Sequence, residues 1–378
     1  MMTGTITNSI RLMAAFLLFM ACHEKRHHLV DDPLVLRIGH PDFPSKVKPE
    51  KEEILQEDFF HHHKVYVLDT VLLTTSNVGD YHFHAYHTKT LKYLGSLGVR
   101  GEGPDEWTMP HTTDGQYDVT ESGISLWIFD FLRGHLSKVD LSKSLQAGTP
   151  YPVITKSFQV NGRDFPFFRL FYVNDEKLIA DCWIAEQNRV RIKSYNPKNG
   201  EIEKSELFPS MNNIQVLPAE IVNSLYTTSF TKHPSKNLFV QAMATFNRID
   251  IINENLILQK SIVDGENWQD DYYDAKDIDP STNFLADKID GYNGTAVTQD
   301  YIFALEMKKK PSSEAEVNPG SFVRVYDWEG RPICLLQFDN NLNAIGMDER
   351  EGYLYATDYA NEMVLRYNIK DMMSKWKN

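Results

Sequence analysis

Six times between residues 83 and 368 the chain returns to one pattern. An alternating apolar run ends in an aromatic or β-branched residue, is followed by Asp, Asn or His, and then makes a polar turn into a further run. The copies end at Tyr86-His87, Val139-Asp140, Tyr195-Asn196, Ile252-Asn253, Tyr326-Asp327 and Tyr367-Asn368, at intervals of 53, 56, 57, 74 and 41 residues, about 56 on average. Alternation with period two specifies a half-buried strand, and a recurring multi-strand unit of this length is what a propeller blade with generous loops produces. The longest interval holds a polar insertion at 308–316.

A second pattern precedes the markers. Polar turns at 174–176, 233–236, 299–300 and 348–352 lead into the strand-like runs 177–180, 237–240, 301–304 and 353–356. Turn, strand, loop, strand is the order of an antiparallel blade, so the expected fold is all-β, a six-bladed β-propeller of four-stranded antiparallel blades. A pair of β-sandwiches would demand no six similar units. Past Asn368 no fourth strand is evident, and a free edge invites unwanted pairing. An N-terminal strand, at 34–38 or 54–60, is therefore expected to complete the last blade and close the ring.

The N-terminus carries an address. Arg11 precedes the ten apolar residues 12–21, and Cys22 follows. That run is too short to cross a bilayer and reads as the apolar region of a signal peptide, with Phe19-Met20-Ala21-Cys22 resembling a lipobox. The expected division is a lipoprotein signal peptide at 1–21, a polar tether with a closing strand at 22–51, and the propeller at 52–378. Acylation of Cys22 would anchor the chain to a bacterial membrane in the cell envelope, the outer membrane being the expected one. A plain secretory signal with an incidental cysteine is the alternative. Cys182 and Cys334 are the other two cysteines, and one bridge between them is possible but not implied. Acidic residues outnumber basic ones by 52 to 39, a net charge of −13, which disfavours nucleic acid as a partner.

The lipobox, the six repeats and above all the segment from Leu94 to Trp107, with Gly98, Arg100, Gly101, Gly103, Pro104, Glu106 and Trp107 in order, resemble the TolB-like six-bladed β-propeller lipoproteins of Bacteroidetes. In that family a strand ends in Gly-Arg-Gly-x-Gly-Pro-x-Glu-aromatic before the next blade; here Val99 separates Gly98 from Arg100. The resemblance covers nearly the whole mature chain and implies a fold and a location more than a reaction.

No Gly-x-Ser-x-Gly elbow, Walker loop, His-Glu-x-x-His or Cys-x-x-Cys occurs. The glycines at 98–103 lack the helix that a dinucleotide loop needs, so they read as a sharp inter-blade crossing, with Arg100, Glu102 and Trp107 as alternative pocket residues. His82 and His84 share one strand face, but a metal would need further ligands, so no metal site is expected there. The stretch 264–279 mixes carboxylates with aromatics and lacks the register of an EF-hand.

In a propeller, the connections from first to second and third to fourth strand share one rim; the others share the opposite rim. The first set looks short (174–176, 253–255, 327–330) and the second long (98–111, 208–219, 264–292, 307–321). Long loops on a rigid scaffold usually carry binding. The expected ligand-binding residues are therefore Arg100, Glu102, Trp107, Trp268, Asp270, Tyr272 and Tyr273. Two functions fit. One is a non-catalytic, membrane-tethered module for a glycan, peptide or envelope protein, needing no cofactor. The other is a propeller hydrolase or lyase with a divalent cation such as calcium in its channel, a lactonase-like arrangement that would require carboxylates converging at the channel mouth. The lack of a catalytic motif favours the first.

Overall fold

In the computed structural model, residues 34–54, 62–112, 115–160, 167–184, 190–205, 211–265, 274–277, 291–306 and 320–376 are described. They form six sheets in sequence around one axis, blades one to six, at 62–99, 110–159, 167–204, 228–263, 292–338 and 344–368. Each of the six markers lies in or immediately follows the third strand of its blade, the first at Tyr81–His87 and the last at Met363–Asn368. The turns ahead of the second pattern join first to second strands, as at Phe167–Asn174 and Lys177–Cys182.

The core lies between the blades. In the strand Tyr301–Glu306, Phe303 and Leu305 pack toward blade six, while Ile302 and Ala304 pack toward blade four. Both faces are buried, which is why this run is apolar without a break. Similar clusters join blades one to two, two to three, three to four and six to one, so hydrophobic contact runs around the whole ring.

The N-terminal segment is a strap laid over the outer edges of three blades. Val35–Arg37 pairs in parallel with Leu258–Val263 of blade four, and Lys46–Val47 in parallel with Pro332–Phe338 of blade five. Glu50–Ile54 then pairs antiparallel with Met363–Asn368 and supplies the fourth strand of blade six. An N-terminal strand does close the ring: residues 34–38 serve blade four instead, while the closing strand shares only Ile54 with the expected 54–60, of which 55–60 lie outside the described residues. The closing sequence, Glu-Lys-Glu-Glu-Ile, was hard to see because an outermost strand needs a backbone partner more than an apolar face.

Short helices add local support. Leu141–Ala147 joins third and fourth strands in blade two, capped by Asp140, which accepts from the amide of Lys143, and ended by left-handed Gly148. This connection departs from the expected run of short turns on its rim. The polar-looking C-terminus forms the helix Lys370–Trp376, whose Trp376 ring meets Tyr301 edge-on at 5.3 Å. Cys182 and Cys334 are buried, free, and in different blades.

Candidate functional site

Every inner strand begins at the rim of the long connections, and there the six strands frame the mouth of the central channel. A cavity of about 160 Å³ opens at this point. It is lined by His63 to Tyr66 of blade one, Thr112 of blade two, Arg169 of blade three, Thr228 to Thr231 of blade four, Asn293 to Thr295 of blade five and Asn343 to Ile345 of blade six. None of these is Asp or Glu.

Hydroxyls and amides tie neighbouring blades together at the mouth. Ser229 and Thr231 both reach the hydroxyl of Thr295, at 2.9 and 2.7 Å. Asn293 donates through Nδ2 to the carbonyl of Asn343 at 2.8 Å. Arg169 bridges blades three and four, its Nη1 donating to Asp181 Oδ2 at 2.8 Å and to the Thr228 carbonyl at 3.0 Å. Asp181 also pairs with Arg191 at 2.5 Å, so one buried carboxylate serves two guanidinium groups. The Thr228 hydroxyl and His111 Nε2 are buried without a hydrogen-bond partner among the described residues. Burial holds the His111 imidazole down at about 4, and the charges of Lys64 and Arg169 push in the same direction while Asp130 opposes them.

The expected site residues divide. Arg100 donates to the carbonyls of Gly79, Ser76 and Tyr81, fastening the crossing out of blade one to the loop beside it. Glu102 is exposed on the rim. Trp107, expected as a ligand contact, has its ring in the core between blades one and two, edge-on to Phe83 at 6.0 Å. Its edge also borders a smaller cavity of about 90 Å³ with Asp130 and Arg133. Trp268, Asp270, Tyr272 and Tyr273 belong to the connection from blade four to blade five and lie outside the described residues.

The glycine segment works by close approach. Gly98 alone of its three glycines has a left-handed backbone, φ 75°, and a Cβ there would stand 2.7 Å from the Trp107 ring. Gly101 and Gly103 instead curl around Glu106, whose Oε2 accepts from the Gly103 amide at 2.8 Å. His82 and His84 have separate partners: His82 Nε2 donates to the Trp107 carbonyl at 2.9 Å, and His84 Nδ1 meets the Ser96 hydroxyl at 2.9 Å. His62 packs against His84 with ring centroids 5.3 Å apart. Among the described residues no group of three His, Cys, Asp or Glu is arranged to hold a metal.

The described ends of the acidic stretch 264–279 are structural. Asp264 is buried against Arg324 at 2.5 Å, and Asp274 accepts from Asn213 at 2.8 Å.

Reading the sequence alone missed Lys64, Arg169, Asn293 and Asn343. Each is one polar residue near the start of an inner strand, and only ring closure brings them together.

A family model described as TolB-like 6-blade propeller-like matches residues 42–350. Among solved structures, a member of the DUF4221 family from Bacteroides vulgatus ATCC 8482 aligns with a TM-score of 0.57 at 10% identity, covering 86% of this chain and 98% of that one. A protein of Bacteroides fragilis NCTC 9343 described as exported aligns with a TM-score of 0.50 at 10% identity, over 88% and 98% of the two chains. Comparison with curated proteins finds no match.

Proposed function

Because the chain belongs to the TolB-like six-bladed propeller family, we propose that it is a membrane-tethered recognition module of the cell envelope, binding a glycan, peptide or envelope protein at its long-connection rim. The observation that carries this reading is the channel mouth, where six inner strands converge on one polar cavity. Such a site is rigid because its walls are strands. The likeness to an exported Bacteroides protein and the signal-like start with Cys22 support the address. The competing reading, a cation-dependent hydrolase or lyase, calls for carboxylates converging at the mouth, and the described lining supplies none.

A thermal-shift screen with a glycan panel, calcium, zinc and EDTA tests this. A ligand at a hundred times its Kd stabilises the native state by about 2.7 kcal/mol. Stabilisation by a glycan, without turnover and lost on substitution of Asn343 at the mouth, is the expected result. Turnover, or stabilisation by calcium reversed by EDTA, would favour the enzyme instead. Labelling with a clickable palmitate should tag the wild type and not Cys22→Ser; equal labelling of both would remove the anchor from the proposal.

A further inference from the structure

The charge around the channel mouth does not match that of the whole chain. The protein carries −13 overall, yet among the described residues the cavity is lined by Lys64 and Arg169 and by no carboxylate. Asp181 stands behind Arg169 but is shared with Arg191, so two guanidinium charges face one carboxylate and the group keeps a net positive charge. Arg169 uses Nη1 for Asp181 and Thr228, while its Nε and Nη2 make no hydrogen bond among the described residues, and its side chain is 14% exposed. A guanidinium with one nitrogen fixed and two donors open is oriented to take a planar anion by its fork. The neighbouring His111 is held neutral by burial first and then by the charges of Lys64 and Arg169, and adds no positive charge that would hold a bare multivalent anion.

Hydroxyls and amides share the rest of the wall with His63, Val65, Tyr66, Phe230, Ala344 and Ile345. Thr228 is only 6% exposed, lines the cavity and has no partner for its hydroxyl among the described residues. An unsatisfied buried hydroxyl is costly, so a ligand hydroxyl that completes it is favoured. Ser229, Thr295 and Asn293 stand beside it. Size narrows the choice further: about 160 Å³ is well below the roughly 300–1,000 Å³ of pockets for drug-sized molecules, so one small unit enters rather than a chain.

We propose that the channel mouth binds a single polyhydroxylated carboxylate, a hexuronic acid unit, with its carboxylate on Arg169 and Lys64 and its hydroxyls on Thr228 and the adjoining side chains. This rests on the reading of the mouth as a binding site and adds the class of ligand. The unit can be a free acid or the terminal residue of an acidic glycan, and the chemistry recognised is the same.

Isothermal titration at pH 7 and low salt with galacturonate, galactose, gluconate, sulfate and an oligogalacturonide tests it. Galacturonate is expected to bind at least tenfold more tightly than galactose or sulfate, with affinity falling as salt is added. Lys64→Glu, a change on the exposed lip, should weaken it tenfold or more, and Arg169→Lys should do the same by removing the fork while keeping the charge. Thr228→Val should weaken galacturonate but not sulfate. If Arg169→Lys does not fold, Lys64→Glu and Thr228→Val decide. Tighter binding of the oligogalacturonide than of galacturonate would assign the terminal unit of a glycan, and the reverse a free acid; tighter binding of gluconate, an open-chain aldonic acid, than of either would overturn the hexuronic unit. Equal binding of galactose, or of sulfate, would overturn the inference while leaving a binding module intact. Galacturonate binding that ignores all three substitutions would overturn it too, because the site would lie elsewhere. Absence of any ligand at the mouth would remove both this inference and the reading beneath it.

Discussion

Glu52 accepts a hydrogen bond from Nε of Arg366 at 2.8 Å, joining residues 314 positions apart in sequence at the seam where the ring closes. Arg366 also lies over the Tyr353 ring at 4.6 Å, so this seam is held by side chains as well as by backbone pairing. Glu52→Ala is expected to lower stability by only about 0.5–1 kcal/mol, because Glu52 is 43% exposed and such pairs are screened. Deleting residues 34–54 should do far more, stripping three outer edges and producing concentration-dependent oligomers in light scattering. A monomeric deletion variant of unchanged melting temperature would refute the role of the strap.

Arg324 anchors the strap from inside. It donates to Asp264, to Glu306 and to the carbonyl of Ile38, and His40 meets the same Glu306 at 2.7 Å. Removing the guanidinium withdraws the cation that buried Asp264 and Glu306 share, so Arg324→Met should cost about 3–5 kcal/mol in chemical denaturation. Loss of less than about 1 kcal/mol would contradict this.

Glu306 makes that anchor sensitive to acid. Burial alone would raise its carboxyl, but the hydrogen bond from His40 and the charge of Arg324 outweigh burial and hold it below its ordinary value of 4.5. A carboxyl lowered in the folded state contributes stability that is complete above the unfolded value and disappears as pH falls below it. Melting temperature should therefore fall more steeply below about pH 4.5 in the wild type than in Glu306→Gln. Parallel curves would show that the group is not linked to folding.

His111 acts in a higher window. Its imidazole sits at about 4 against 6.5 when free, through burial first and then Lys64, Arg169 and His82, with Asp130 opposing. The unfolded chain takes up this proton first, so the contribution is complete above pH 6.5 and is lost as pH falls toward 4. The full effect is on the order of 3 kcal/mol. His111→Gln should flatten the pH profile between those limits, and an unchanged slope would count against a neutral buried imidazole.

The rim and the core separate by mutation. Trp107→Ala should destabilise by about 3–5 kcal/mol as a core deletion, and Gly98→Ala by about 1–3 kcal/mol through its left-handed backbone and the contact with Trp107. Trp268→Ala should instead weaken a rim ligand by about 1–3 kcal/mol if its ring is an anchor, while Glu329→Ala on the opposite rim leaves affinity unchanged. A reversed pattern in paired denaturation and titration experiments would move the ligand to the short-connection side.

The blades were legible because their third strands are buried on both faces and end in polar turns, as at Val325-Tyr326-Asp327. The strap was less so: Glu50–Ile54 is chosen for an outer edge, where charge is tolerated and no apolar period is imposed. The glycine segment is legible as a crossing, yet the inward turn of the Trp107 ring is not, since no local pattern distinguishes a ring that turns inward from one that turns out. The channel mouth was illegible for a different reason. Arg169, Asn293 and Asn343 come from three blades, and nothing in the sequence near any of them signals the others.

The direction of Val35–Arg37 sets how a pull on the strap would be borne. This strand runs beside Ser261 to Val263 toward the long-connection rim, so Leu34 enters the sheet at the opposite rim. Tension applied at Leu34 would act along the strand, loading its hydrogen bonds together in shear rather than peeling them one at a time.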